Sequence, residues 1–460
     1  GKTSTAIGRL EYLLYQGVPA ESVMILVPQR TLAKPYYDFI YGGGYLFNNE
    51  PAILTLGGLA RRMIDLFWPL VAFDSGFSSI IPSPTFLTIE TAQYFLNHVM
   101  EPLLAKGYFS SVRIDRNRLA GQILDNMNKS AVVGFPLEEI SLRLRDGSSQ
   151  DSGLWVAFQQ AEECALLFRQ YCLKYNLLDY SLQMEVFMKH LWSTEICRNF
   201  INDKYRYLIY DNIEEDVPAT HDWIQAWATQ LDSVLFVYDE GGGYRTFLGA
   251  DPLHGQNLAG LCNEKIRFQQ QFTSTAGLQE LKKVLKENIL LTSKPIPSSG
   301  VLNQFTFHQS RFYPEMIDAV CNQINELIHE HGEPANEMVI LAPFVSDSLL
   351  FSLSSQLADY EIPVYAARPS RAFIWEPVIK CLVTFAKLAH PWLEMPVDSL
   401  ALRQALMTSI REIDVIRAQL CCQSLFNERH IESGINSFNN LRGELPERIT
   451  YLIGEKLEKV

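Results

Sequence analysis

Val23-Met24-Ile25-Leu26-Val27-Pro28 is the stretch that decides the fold. A strand with one wet face would alternate apolar and polar residues; this one is apolar throughout until the proline closes it. It reads as a parallel strand buried on both faces. A second run of this kind lies at 205–210 and a third at 234–237. Between them 218–230 has helical spacing, with Trp223 and Trp227 four apart on one face. Upstream, Ala6, Ile7, Leu10, Leu13 and Leu14 form a 3.6-period stripe that stops at Gly17. The alternation returns with strands expected at Phe305-Thr306-Phe307, 338–342 and 362–366, around helices at 314–329 and 346–358. Strand–helix alternation predicts an α/β fold with parallel sheets, in two regions. The stretches 85–191 and 378–460 carry helical periodicity instead.

Composition bounds what such a chain can do. Its 460 residues, 47% hydrophobic and 20% charged, are enough for a large core and roughly three domains of about 150 residues. The 39 Lys and Arg against 52 Asp and Glu leave a net charge of −13. A polyanion therefore has to be met by a local basic face, not by the average surface. No apolar run approaches the roughly 18 residues of a membrane span, so no membrane partner is expected. The eight cysteines, Cys164, Cys172, Cys197, Cys262, Cys321, Cys381, Cys421 and Cys422, lack the two-residue spacing of a zinc or redox motif. They read as buried thiols, and with no signal peptide in view the expected location is cytoplasmic.

Gly1-Lys2-Thr3-Ser4 opens the first amphipathic stripe. Gly-Lys-Thr at a helix start is the back half of a phosphate-binding loop. There the helix N-terminus accepts phosphate, the lysine reaches the β and γ oxygens and the threonine hydroxyl ligates magnesium. The residues that complete such a loop are expected upstream. A phosphate loop also predicts an acid at the end of a later buried strand, holding magnesium through water. Asp211, closing Tyr207-Leu208-Ile209-Tyr210, is that acid. Gly1, Lys2, Thr3 and Ser4 are thus candidate nucleotide ligands, Thr3 and Asp211 candidate magnesium ligands, and ATP with Mg2+ the expected cofactors.

Several segments resemble one family in order. Tyr210-Asp211-Asn212-Ile213-Glu214-Glu215-Asp216-Val217-Pro218-Ala219 resembles the Val-Asp-Glu-x-Gln-Asp-x-x-Pro-Ala segment of UvrD/Rep-type superfamily 1 DNA helicases. Leu235 through Glu240 and then Phe247 and Gly249-Ala250-Asp251-Pro252 are similar to that family's following motif. Thr55-Leu56-Gly57-Gly58-Leu59-Ala60 is similar to its Thr-x-His-Ser-Phe-Ala region, without the histidine. Leu178-Asp179-Tyr180-Ser181-Leu182 resembles its Asp-Phe-x-Asp-Leu segment. Ile362-Pro363-Val364-Tyr365, Phe373 and Ile379-Lys380 resemble its Gly-Ile-Pro-Tyr and Glu-Ile-Lys stretch. The resemblance implies RecA-like P-loop NTPase domains with helical insertions. The first RecA-like domain would be 1–75 plus 196–295, interrupted by a helical insertion at 76–195. Part of a second would be 296–390, followed by the start of a second insertion at 391–460, with the closing motifs expected beyond. Single-stranded or partly duplex DNA is the implied partner, and DNA repair or recombination the implied setting.

The departures matter as much. The family's water-activating carboxylate corresponds to Asn212, whose amide cannot take a proton. Its γ-phosphate-sensing glutamine corresponds to Gly242, and its arginine finger to Thr273, a loss worth about 10³–10⁵ in rate. Two readings stay open: an active translocase in which Glu214 or Glu215 replaces the missing base beside Asp211, or a helicase-derived subunit that binds ATP and DNA without turnover. Val27-Pro28-Gln29-Arg30-Thr31-Leu32 is similar to the Val-Pro-Glu-Gln-x-Thr stretch of AddB-type subunits, which implies a nuclease or helicase partner subunit and favours the second reading. A small-molecule P-loop kinase would be a compact single domain, against the two α/β regions here.

For DNA, the sequence offers Arg113, Arg116 and Arg118, in a stretch from Pro102 to Lys129 with five basic and two acidic residues. A solvated helix face is the competing explanation. Tyr36-Tyr37, Phe67-Trp68 and Tyr244 are candidates for stacking on bases. His329-Glu330-His331 reads as the polar end of a helix, and Glu138-Glu139 as a charged first helical turn, not paired catalytic acids.

Overall fold

The computed structural model describes residues 1–42, 49–148, 152–268, 275–289, 307–366, 376–393, 395, 397–411, 413–426 and 443–451. The chain divides into two compact units, Gly1–Gln279 and Glu280–Val460.

The first unit begins with α1 (Lys2–Tyr15), β1 (Val23–Leu26), α2 (Lys34–Gly42), β2 (Ala52–Leu54) and α3 (Leu56–Val71). An inserted stretch follows: β3 (Thr85–Phe86), α4 (Ile89–Ala105), α5 (Arg116–Val133), α6 (Ile140–Gly147), α7 (Ser152–Lys174), β4 (Leu177–Leu178) and α8 (Tyr180–Glu185). Then come α9 (Glu195–Lys204), β5 (Tyr207–Tyr210), α10 (Pro218–Trp227), β6 (Ser233–Phe236) and α11 (Pro252–Gln256). The main sheet has the order β2-β1-β5-β6, parallel throughout. β3 and β4 pair in parallel and tie the two ends of the insertion together.

The uninterrupted apolar reading of β1 has a physical cause. Val23, Ile25 and Val27 point into one core with Ala6, Leu10, Leu13, Ala33, Tyr36 and Ile209. Met24 and Leu26 point into another with Leu59, Met63, Leu208, Tyr210 and Trp223. Successive side chains alternate faces, and here both faces are dry. The second core continues into the insertion through Leu96, Met100, Leu119, Ile123, Met127, Cys164 and Phe168. The sheet and the inserted helices therefore share one apolar interior. β2, only three residues and half-buried, carries too little pattern to be read from sequence.

After α12 (Ala276–Ile289), the second unit contains α13 (Tyr313–His329), α14 (Asp347–Ala358), α15 (Pro377–Ala389), α16 (Ser399–Ser409), α17 (Val415–Leu425) and α18 (Leu445–Thr450). Its helices match the expected ones, but its strands do not. Neither 338–342 nor 362–366 joins a ladder among the described residues. Ala342, Ile362 and Val364 pack on α13 and α14, whereas Val339, Leu341 and Tyr365 are exposed. Ile340 is exposed as well; a strand exists only with a hydrogen-bonded neighbour, and none is described there. The strand expected at Phe305-Thr306-Phe307 lies, apart from Phe307, outside the described residues. So do Thr273 and Phe373. All eight cysteines are free thiols. Cys421 and Cys422 face different apolar clusters.

Candidate functional site

The carboxyl ends of β5 and β6 gather the candidate residues. This is the edge where open parallel sheets present ligand sites. α1 runs back along β6, fixed by Arg9 Nη2 donating to Ser233 Oγ at 2.8 Å at the strand's start. Its N-terminus therefore lies at the strand's far end. There Lys2 Nζ pairs with Asp239 Oδ2 at 2.6 Å, and the Thr3 side chain and the Lys2 charge both favour the ionised form of the Asp211 carboxylate. The start of the chain thus lies beside two acids that follow it by more than two hundred positions. Ser4 is exposed.

Asp211 is 1% exposed. Its Oδ1 accepts the Asn212 N–H at 2.9 Å and its Oδ2 the Tyr36 hydroxyl at 2.8 Å. Burial raises its pKa, opposed by Tyr36, the Asn212 N–H, Thr3 and the Lys2 charge. The sequence offers Tyr36 for stacking on bases, and the structure corrects this. Its ring is fully buried in the core beside β1, and its hydroxyl orients Asp211. Trp68 is corrected likewise: it is buried against Phe77, with Nε1 donating to the Ile80 carbonyl at 2.9 Å. Phe67 packs edge-on against Phe200. Only Tyr37 and Tyr244 of that group are exposed.

Neither glutamate considered as a displaced base is free. Glu215 Oε1 accepts the N–H groups of Gly243 (3.2 Å) and Tyr244 (3.1 Å), and Oε2 that of Arg245 (3.2 Å). One carboxylate clamps the whole glycine loop. Glu214 is 2% exposed, and its Oε2 accepts the Asp239 N–H at 2.9 Å. Burial raises its pKa; that hydrogen bond opposes the rise and the Asp239 charge adds to it. Glu214 therefore takes up its proton more readily in the folded chain. Its stabilising effect is complete at low pH and is lost as pH rises through the raised value. Relative to Glu214→Gln, the wild-type chain should gain thermal stability as pH is lowered from neutrality toward the ordinary carboxylate range. A constant difference in melting temperature would contradict this.

The glycine loop fits this acid cluster tightly. A Cβ at Gly242 would lie 3.0 Å from Glu214 Cγ and 3.3 Å from Asp239 Cβ, so a side chain there requires Glu214 to give by a few tenths of an ångström. Gly243 has φ +89°, and a Cβ would come within 2.1 Å of Pro252 Cγ. Gly243→Ala should cost about 1–3 kcal/mol of stability, read as a lowered denaturation midpoint. Asn212 adopts left-handed backbone (φ 58°), which asparagine tolerates. The Gly249-Ala250-Asp251-Pro252 segment ends the loop for a local reason. Asp251 caps α11 by accepting the His254 N–H at 2.9 Å, and Pro252 occupies the first turn.

Beside this site lies a cavity of about 310 Å³ within the first unit. Its lining includes Gly57 at the start of α3, Lys129 from α5, Tyr180 and Arg245. These come from four distant segments, so no local sequence pattern announces it. All three candidate DNA-binding arginines are exposed. Arg116 also ties α5 to α4, donating to Asn97 Oδ1 (3.1 Å) and Asn97 O (2.7 Å) and lying 3.6 Å from Glu101.

The donor set fits a magnesium–polyphosphate. It offers an ammonium, a hydroxyl and a buried carboxylate at a helix N-terminus. Among the described residues no group of three or more His, Cys, Asp or Glu could hold a metal ion alone. Magnesium characteristically takes one or two carboxylates plus phosphate oxygens and water. No helix among the described residues is long and apolar enough to cross a membrane. No protein-family model matches the chain, and no curated protein is significantly similar to it.

Proposed function

We infer that this chain is a helicase-derived P-loop protein, related to the UvrD/Rep superfamily, that binds ATP with Mg2+ and single-stranded DNA and has lost most of its hydrolytic machinery. The observation that carries this reading is that the first turn of α1 lies at the carboxyl ends of β5 and β6, where Lys2 pairs with Asp239 and the Lys2 charge and Thr3 side chain act on Asp211. Lys2 and the first turn of α1 would receive the phosphates, while Thr3 and Asp211 would hold magnesium. Bound there, magnesium would supply charge neutralisation of the phosphates. Tyr36 orients Asp211 from behind, and Glu214 and Glu215 hold the loop that walls the site.

The engagement of both glutamates supports the reading without turnover over an active translocase with a displaced base. A base has to accept a proton from water, but Glu215 spends both oxygens on backbone N–H groups. DNA repair or recombination is the setting we propose, with a nuclease or helicase subunit as partner. The test is ATP hydrolysis with and without single-stranded DNA. The expected result is nucleotide binding with little or no turnover; strong DNA-stimulated turnover that vanishes in Lys2→Ala would overturn it.

For the DNA strand we propose contact at the cavity through the Tyr180 ring and Arg245; Lys129 also lines it, paired with Asp125 at 2.8 Å, and Glu215 and Asp216 lie on its wall. Arg113 and Arg118 would extend the grip along the insertion. Arg113→Glu with Arg118→Glu should weaken single-strand binding. The salt dependence should also flatten, its slope falling by about 0.7 for each phosphate that is no longer neutralised. Unchanged affinity and slope would remove these arginines from the interface.

A further inference from the structure

We propose that Asp239 is a resident competitor for Lys2: its carboxylate occupies the phosphate-binding ammonium, and a nucleotide polyphosphate binds by displacing it. This rests on the nucleotide reading above. The two halves of Asp239 are held differently. Its main chain is pinned, with the N–H donating to Glu214 Oε2 at 2.9 Å and the carbonyl accepting the Gly242 N–H at 3.0 Å. Its side chain is 52% exposed at the rim, with Lys2 Nζ at 2.6 Å, and the lysine side chain is 33% exposed. The carboxylate can therefore swing into solvent without any movement of β6 or the glycine loop.

Asp211 and Glu214 also act electrostatically on Lys2, but both are buried and hydrogen-bonded and cannot withdraw. One ammonium thus sits among three carboxylates, of which only Asp239 can leave. A solvent-exposed ion pair contributes little, so a multiply charged phosphate accompanied by magnesium can outcompete it. A singly charged anion has no such advantage. The arrangement selects for metal-loaded polyphosphate and keeps Lys2 engaged at other times. Removing the Asp239 charge frees the ammonium and removes a repulsive neighbour of the incoming phosphate. Affinity should rise by about threefold, the order of an exposed ion pair's worth.

The test is a fluorescence titration of the complete protein with mant-ATP and Mg2+, comparing wild type, Asp239→Asn, Lys2→Ala and the double variant. Asp239→Asn is expected to bind about threefold more tightly than wild type, with a smaller gain once Lys2 is alanine, where only the relief of repulsion remains. Asp239→Ser should behave as Asp239→Asn does, and circular dichroism checks that each variant folds. Equal or weaker binding by both Asp239 variants, with Lys2→Ala still impaired, overturns the competitor and leaves the nucleotide reading standing. Binding by none of the four chains overturns the nucleotide reading itself, and the competitor with it.

Discussion

Lys2→Ala is expected to lower affinity for magnesium-ATP at least a hundredfold, a loss of about 2.7 kcal/mol. Isothermal titration calorimetry or a fluorescent analogue would measure it. The effect is large because the substitution does two things at once. It deletes the charge-assisted hydrogen bonds a phosphate would receive. It also leaves Asp211, Glu214 and Asp239 without the ammonium that faces them. An incoming polyanion would then meet carboxylates alone. Thr3→Ala should have a smaller effect, visible as a raised magnesium requirement. Wild-type affinity in Lys2→Ala would show that α1's N-terminus is not the nucleotide site.

The largest structural effect is expected from Trp227→Ala. Trp227 is 0% exposed and Trp223 1%, and their rings stack at 4.8 Å. Truncating a large buried aromatic opens a cavity and typically costs about 3–5 kcal/mol. Here it also strands Asn202 Oδ1, which accepts Trp227 Nε1 at 2.8 Å. Urea denaturation of the whole protein should show the first unit losing cooperativity well before wild type. Trp223 differs in one respect: its Nε1 is buried with no hydrogen-bond partner. Trp223→Phe should therefore cost less than Trp227→Phe, since only the latter breaks a bond. Tyr244→Ala, at an exposed position, serves as the control, with an effect within about 0.5 kcal/mol.

How far the sequence can be read follows from where information sits along the chain. β1, β5, β6, α1 and α10 are legible because a buried parallel strand needs consecutive apolar residues and a half-buried helix needs a 3.6 period. Both are local rules. The positions of Lys2, Thr3 and Asp211 are legible because each stands at a fixed place relative to such an element, the first two at a helix start and the third at a strand end; their role as nucleotide ligands is the proposal above. β2 and the β3–β4 pair are not legible, because two or three residues hold no period. The strands expected in the second unit show the opposite limit: an apolar run is legible locally, but whether a neighbour comes to pair with it is not.

The sequence by itself determined a parallel α/β core in the first unit, its long helical interruption and the residue types at the strand ends. Tertiary structure alone decided what those residues do. It placed Tyr36 behind Asp211 instead of against a base. It closed Glu215 onto three backbone N–H groups of the glycine loop, spent Arg116 on Asn97, and set Asp239 against Lys2. Periodicity reports only whether a side chain faces in or out. Whether two groups hydrogen-bond depends on their coming within about 3 Å, and that distance is set by the packing of segments far apart in the chain.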